Sequence, residues 1–362
     1  MTVIAEDSRT ARRRQFHELT VARTDVLCAD AVAITFDVPP ELADDYAFRP
    51  GQSLTLRRLV DGQDLRRSYS ICAPAGQPLR IGVREVPDGA LSSWLVREVR
   101  PGQRIEVQPP SGSFTSDFSA AQRHVLIAAG SGITPVLSVA ASALASEASE
   151  ATLLYGNRRA ESVMFADDIA DLKDSYPARF QLAHVLSREA QEVELFSGRL
   201  DAARLRRLLP ALCDVGAVDH WWLCGPYGMV TDATEVLGEF GVPAARVHRE
   251  LFYVEDVPPE PEQHAEQPLT GGCEVTIVLD GRQTTTTIAP GTPVLDGAQA
   301  ARPDLPFACK GGVCGTCRAR LVSGEVRMRR NFALEPAEVA DGFVLTCQSL
   351  PVTDKLTVDY DA

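Results

Sequence analysis

The chain has 362 residues, 45% hydrophobic and 23% charged, with a formal net charge of −13, a globular composition too long for one ordinary core. The acidic balance excludes a nucleic-acid-binding role, which needs a basic face, and would suit a basic protein partner. Nine cysteines form an odd, scattered set rather than a disulfide framework, and Glu6 and Asp7 fall where a secretory signal needs apolar residues, so a reducing cytoplasmic setting is expected.

Residues 1–15 read as an N-terminal tail. Over 16–120, short alternating runs at 33–38, 53–56, 80–83 and 104–107, punctuated by Pro50-Gly51 and Pro101-Gly102, predict a small antiparallel β-barrel. Arg67, Tyr69 and Ser70 in the run R-S-Y-S can pair a diphosphate, stack a ring and hydrogen-bond a polar edge. Alone, the run is equally an ordinary exposed strand. The segment Gly89-Ala90-Leu91-Ser92-Ser93-Trp94-Leu95 reads as a turn opening a helix, whose first amides face phosphate.

Over 121–254 the pattern changes to apolar strands that end at glycine: 125–128, 151–155 before Gly156, and 221–224 before Gly225 and Pro226. This predicts a parallel sheet covered by helices. The uncharged stretch 125–145 contains Gly130, Ser131, Gly132, Thr134 and Pro135, so it reads as strand, turn and helix rather than a membrane span. Gly130-Ser131-Gly132-Ile133-Thr134-Pro135 lets a dinucleotide approach the backbone closely, without the full dinucleotide fingerprint. Gly225 and Pro226 follow Cys224 at a strand's carboxyl end, where ligands bind in open α/β sheets. Arg158, in Gly156-Asn157-Arg158-Arg159, offers a cation and no acid after the second strand. That favours NADPH over NADH, the bland reading being a pair of solvated arginines.

Residues 255–271 are acidic and proline-rich, which predicts an extended linker. The block 272–362 carries Cys309, Cys314 and Cys317 with Cys347 further on, the C-x4-C-x2-C…C spacing of a plant-type [2Fe–2S] centre. Gly311, Gly312 and Gly315 between the ligands let the loop curl and point amides at sulfur. Cys347 is expected from a strand-like segment at 342–349. Structural zinc would show two close cysteine pairs or cysteine with histidine, neither of which is present.

Taken in order, R-S-Y-S, G-S-G-I-T-P, Y-G-N-R, C-G-P and E-L-F resemble the ferredoxin–NADP reductase superfamily. With the C-terminal cysteine pattern they resemble the reductases of multicomponent oxygenases. The run from Asn331 to Asp361 is similar to reductase subunits of phenylacetyl-CoA epoxygenases, and reductases of Rieske-type ring hydroxylases and steroid hydroxylases are the alternative. The resemblance implies a β-barrel flavin domain, an α/β nucleotide domain and a β-grasp-like ferredoxin domain. It implies that Arg67, Tyr69 and Ser70 bind flavin, with Ser92 on its diphosphate, and that Gly130 and Thr134 face the nicotinamide nucleotide. It places Cys224 near the nicotinamide, has Ser70, Cys224 and Glu250 tune the pocket, and has Phe252 cover the flavin face. FAD is implied by the G-x-x-S-x-W-L element, FMN being the alternative. The expected activity is NAD(P)H-dependent electron transfer through FAD and the cluster to an oxygenase component. A non-catalytic redox sensor is the reading from another class, and it predicts no turnover with either nicotinamide.

Overall fold

Alternating burial builds the first sheet of the computed structural model, which describes residues 15–252, 271–334 and 336–362. The expected tail and linker lie, but for one residue each, outside the described residues. Strands β1 (His17–Cys28), β2 (Ala31–Asp37), β3 (Ser53–Val60), β4 (Gln63–Ser70) and β5 (Arg80–Arg84), then helix α1 (Ala90–Arg97) and β6 (Arg104–Val107), make an antiparallel sheet ordered β4-β3-β6-β1-β2-β5. An Ile71–Ile81 bridge brings the two edges together, so the sheet curls around Leu19, Ile34, Leu54, Leu56 and Ile81, all 0% exposed. The β3–β4 hairpin turns on Asp61 and Gly62, at φ 50° and 79°, the aspartate–glycine pair whose twist suits a two-residue loop. That turn sets the register of β4, and so the position of residues 67–70.

The second sheet takes β7 (Arg123–Ala129), α2 (Ile133–Ala145), β8 (Glu150–Asn157), α3 (Ala166–Ser175), β9 (Phe180–Leu186), α4 (Ala202–Leu212), β10 (His220–Cys224), α5 (Tyr227–Glu239) and β11 (Val247–Glu250). Its order is β11-β10-β7-β8-β9, and every pair is parallel. The near-continuous apolar strands serve two faces. Leu126, Leu153 and Trp222 pack with α2, while Val125, Leu154 and Trp221 pack with α4 and α5. Helix α2 starts at Ile133, after a 3-10 turn at Gly130–Gly132. Pro135 therefore falls in its first turn, where a missing N–H costs nothing.

The two sheets share one core, because Ala31, Ala33, Cys72 and Phe114 from the first part join the face carrying Leu126 and Trp222. Gly82 of β5 makes the close approach possible: a Cβ there would lie 2.7 Å from Phe165 Cζ and 2.9 Å from Thr134 Cγ2. Polar bonds seal the rim. Ser138 Oγ donates to Ala73 O at 2.6 Å, Arg80 Nη1 to Asp168 Oδ1 at 2.5 Å, and Arg84 Nη2 to Ser162 O at 2.5 Å.

Residues 271–362 build their own core. Strands β12 (Cys273–Leu279) and β13 (Arg282–Ile288), helix α6 (Val294–Ala298), β14 (Arg318–Ser323), β15 (Val326–Met328), α7 (Pro336–Ala340), β16 (Phe343–Leu345), β17 (Ser349–Pro351) and β18 (Lys355–Asp359) follow in order. The main sheet runs β13-β12-β18-β14-β16, with β15 and β17 paired separately. The central β12–β18 pair is parallel, and α6 lies close to β13: a Cβ at Gly297 would fall 2.3 Å from Ile288 Cγ2. This is the expected β-grasp arrangement. Among the described residues, no helix is long and apolar enough to cross a membrane.

At the amino-terminal edge of the parallel sheet, histidines from three adjacent strands meet. His220 Nδ1 and His248 Nε2 are 2.9 Å apart, Trp222 Nε1 donates to His124 Nδ1 at 3.3 Å, and Trp222 stacks on His248 at 4.0 Å between centroids. Burial pushes the pKa of His124 and His248 down to about 4 and lowers that of His220, against Asp219 and with Arg246 nearby. An unfolded chain protonates these rings near 6.5, so it binds more protons than the folded one between about 6.5 and 4, and stability falls as pH drops through that window. The thermal unfolding midpoint should therefore decline from pH 6.5 to 4.5 less steeply for His248→Gln than for the wild type. Equal slopes would refute this account.

Candidate functional site

The carboxyl ends of β7, β10 and β11 meet the end of β4. Cys224 and Glu250 are register partners on β10 and β11, and Ser70, last in β4, donates its hydroxyl to Glu250 Oε2 at 3.4 Å. Ser70, Cys224 and Glu250, singled out from sequence, thus gather at one edge although 180 residues separate Ser70 from Glu250. Burial pushes the Glu250 carboxyl up to about 8, partly offset by the Ser70 hydroxyl. Burial, with Glu250 beside it, also pushes the Cys224 thiol well above its ordinary value. Both groups are therefore neutral at pH 7. Phe252, two residues on, is half-buried against the shared core.

On β4, Arg67 and Tyr69 share one face by strand alternation. Arg67 is exposed, with Nη1 donating to Arg66 O at 2.7 Å, and Tyr69 is half-buried against the barrel core. Ser92 is turned inward. It is 6% exposed, and its hydroxyl accepts from Val86 N–H at 3.1 Å and donates to Gly89 O at 3.2 Å. It closes the turn that starts α1 and so orders that helix's first amides. An isoalloxazine fits beside such an arrangement of an exposed cation, a ring and hydroxyl donors, with a diphosphate at the α1 amino terminus.

The glycine turn is built by close approach. A Cβ at Gly132 would lie 2.1 Å from Cys224 O, and one at Gly225 2.7 Å from Met229 Cε and 3.2 Å from Ala129 N. Gly130 has φ 55°, and Tyr155 Oη holds it through its carbonyl at 3.0 Å. Thr134 does not present its side chain to this edge as the resemblance implied. It is 1% exposed, its hydroxyl donates to Ser131 O at 2.8 Å, and its methyl faces Gly82, so it braces the turn from behind. Pro226 is extended, at φ −58° and ψ 144°, and opens α5.

At the end of β8, Asn157 is 7% exposed, and neither amide atom makes a well-formed hydrogen bond among the described residues, although the Tyr155 hydroxyl stands beside it. A buried, unsatisfied amide at a ligand-binding edge fits a polar nucleotide that would satisfy it. Arg158 and Arg188 are exposed neighbours, Arg188 N–H donating to Arg158 O at 2.8 Å. Neither guanidinium has a carboxylate partner among the described residues, while the nearby Glu189 accepts Ala160 N–H at 2.9 Å. Sequence reasoning missed Asn157, Arg188 and Arg84. Arg84 reaches within 3.3 Å of where a Gly130 Cβ would stand, and no local motif marks it. Two open grooves of about 540 and 500 Å³, lined by Phe118, Ser142 and Ala145 among others, lie at the far end of α2, so cavity size does not locate this edge.

Four of the five thiols of the β-grasp unit, all but the core Cys273, form two pairs. Cys309 stands beside Cys314, and Cys317 beside Cys347. Among the described residues no three His, Cys, Asp or Glu side chains converge as a single-ion site requires. Two thiolates for each of two irons is the donor set of a [2Fe–2S] cluster, and a one-zinc site would need all four on one point. Gly311 N–H points at Cys309 Sγ, 3.3 Å away. Hydrogen bonds from Cys314 and from the Gly311, Val313 and Cys314 amides hold the Cys309 thiol low, as a metal-binding thiolate requires.

The loop glycines differ in kind. Gly312 and Gly315 have φ 81° and 67°, whereas a Cβ at Gly311 would meet nothing closer than 3.8 Å, so Gly311 contributes only its amide. Cys347 is not on a strand. It sits in the turn between β16 and β17, because Thr346 N–H and hydroxyl both bond Cys317 O, at 3.2 and 3.0 Å, and break the ladder there. Gln348, also missed from sequence, fastens the two halves by donating from Nε2 to Lys310 O at 2.8 Å.

Three family models match in the same order: an oxidoreductase FAD-binding domain over 18–116, an oxidoreductase NAD-binding domain over 126–235, and a 2Fe-2S iron-sulfur cluster binding domain over 277–352. The chain is 41% identical over 353 residues to a component of the 1,2-phenylacetyl-CoA epoxidase of Escherichia coli K12, covering 96% of this chain and 98% of that one. It is 33% identical to the ferredoxin reductase component of 3-ketosteroid-9-alpha-monooxygenase from Rhodococcus rhodochrous, covering 94% and 96%. Phthalate dioxygenase reductase shares the fold with a TM-score of 0.60 at 23% identity, over 95% of this chain and 98% of that one. The chain belongs to the reductase components of multicomponent oxygenases, NAD(P)H-dependent oxidoreductases of the ferredoxin–NADP reductase superfamily that carry FAD and a [2Fe–2S] cluster.

Proposed function

We propose that this cytoplasmic reductase oxidises NADPH and supplies electrons to the oxygenase component of a phenylacetyl-CoA epoxidase. Its flavin domain is assigned to 16–120, its nucleotide domain to 121–254 and its ferredoxin domain to 272–362. The observation that carries the chemistry is the meeting of Ser70, Cys224 and Glu250 at one sheet edge. The choice of oxygenase rests on 41% identity along nearly the whole of both chains; a steroid hydroxylase, at 33%, is the second reading.

When bound, the flavin accepts a hydride and passes electrons on singly, and the cluster takes one at a time. The protein's share is positioning. Arg67 and Tyr69 hold the flavin on β4, and the α1 amides with Ser92 behind them receive its diphosphate. Gly130, Gly225 and Pro226 form the backbone rim for the nucleotide, Thr134 braces that rim, and Arg84 adds a cation over it. Phe252, half-buried beside that edge, would lie against the bound flavin. Cys224, neutral and buried, leaves room for the nicotinamide without a competing charge. Ser70 and Glu250 form a proton-holding pair beside the reacting atoms, and Cys309, Cys314, Cys317 and Cys347 hold the metal.

Three outcomes test this reading. Cys347→Ser should abolish NADPH-driven cytochrome c reduction while ferricyanide reduction persists; equal survival of both would remove the cluster from the path. Below about pH 8 Glu250 keeps its proton, so the rate of flavin reduction by NADPH should show an inflection near pH 8 that Glu250→Gln removes. An unchanged profile in the variant would clear Glu250 of that role. Arg158→Ala should raise the KM for NADPH by about tenfold, the scale of one lost charge-assisted hydrogen bond, and leave that for NADH unchanged. Parallel changes with both nucleotides would assign Arg158 to solvent.

A further inference from the structure

The net charge of −13 points to a basic partner, but the stretch that carries three of the four cluster cysteines is locally basic. From Cys309 to Arg330 the sequence holds six basic residues and a single acid, Glu325. Two of the cations are already matched: Lys310 pairs with Asp296 at 2.8 Å and Arg318 with Glu338 at 3.0 Å. Arg327 and Arg329 are exposed, and no carboxylate of the described residues lies within ion-pair distance of either; the ion pairs of this unit are made by other residues.

Their direction follows from the strand. Val326 and Met328 pack on the core, and Met328 Sδ accepts Leu345 N–H at 3.4 Å, so Arg327 and Arg329 share the outward face. Arg329 Nη2 donates to Cys347 O at 3.4 Å, on the main chain of a cluster ligand. Arg330 O lies 3.2 Å from where a Gly312 Cβ would stand, inside the 309–317 loop. The basic run therefore rims both chain segments that hold the cluster.

We propose that Arg327 and Arg329 form the docking ridge for an acidic face on the electron-accepting oxygenase component. This rests on the reading of the domain as the donor to that component. Salt screens exposed charges beyond about 8 Å at physiological ionic strength, so at contact the local arginines outweigh an acidic charge spread over the chain. Transient redox interfaces are small, and in them a few charges set the approach rate and orientation. Arginine suits the task because its planar fork pairs carboxylates.

The test uses the full-length, cluster-loaded protein and probes of known charge. The dithionite-reduced cluster is followed by its EPR saturation, with anionic dysprosium–EDTA or with the neutral dysprosium chelate of hydroxyethyl-EDTA. At low ionic strength the anionic chelate should enhance relaxation at least about twofold more than the neutral one. That preference should vanish in 0.5 M salt (~4 Å screening length) and in Arg327→Glu/Arg329→Glu. The double variant should also reduce acidic cytochrome b5 about tenfold more slowly and basic cytochrome c faster, while NADPH-to-ferricyanide turnover stays unchanged. The single Arg327→Glu variant, whose arginine side chain makes no hydrogen bond among the described residues, should show part of both effects.

Equal action of the two chelates on the wild type would overturn the ridge. So would a double variant that slows NADPH-driven cluster reduction and leaves both cytochromes unaffected, since the arginines would then serve transfer within the chain. Absence of any EPR signal would overturn the cluster reading itself, and the ridge with it.

Discussion

Everything at the hydride-transfer edge depends on how closely the flavin sheet approaches the nucleotide sheet at Gly82. A side chain there would strike Phe165 and Thr134, and the two sheets could not share a core. Phe165 reaches this position from a left-handed backbone at φ 58°, a conformation that costs a non-glycine residue on the order of 1–3 kcal/mol. Burial of its ring, 1% exposed, offsets that with a contribution of about 1.5–3 kcal/mol. With the seam closed, Ser70 and Glu250 meet across 180 residues of chain. A transfer that depends on placing two rings against each other needs such a fixed frame.

The ferredoxin unit solves a different problem by different means. Its ligands are positioned by backbone: amides converge on Cys309, a turn presents Cys347, and Gln348 ties that turn to the loop at Lys310. Side-chain packing supports the loop from below, through Cys317 and Cys347 in the core. Amide donors stabilise negative sulfur without adding a titratable group. The cluster's surroundings are thus settled by chain path, and the exposed Arg327 and Arg329 take no part in holding the ligands' sulfur atoms.

Much of this was legible because the strongest signals are covalent in origin. Cysteine spacing reports a cluster directly, and glycine at strand ends reports a parallel sheet whatever the surrounding sequence. Ser70, Cys224 and Glu250 were found through motifs at three distant places. Their meeting could not be read from those motifs, since it depends on tertiary packing at Gly82. Thr134 shows the limit of motif transfer: the residue matches, yet its hydroxyl serves the turn and not the edge. Arg84 and Arg188 carry no local pattern, Asn157 lies in Y-G-N-R with nothing to mark its amide as buried, and only the register of β5, β8 and β9 brings the three to the nucleotide rim. The global charge pointed toward a basic partner, because a sum over the chain hides the sign of a patch.

Gly311 and Gly312 look interchangeable in sequence, two adjacent glycines in one loop. Their surroundings differ: Gly312 is held in a left-handed conformation against Arg330 and Gln348, while a Cβ at Gly311 would meet nothing closer than 3.8 Å. Over evolutionary time the first position is open to drift, since any residue that keeps its amide will serve. The second is closed, because replacement would demand compensating change in two other segments at once. One half of the glycine pair is thus fixed by backbone shape and neighbours, and the other only by its amide.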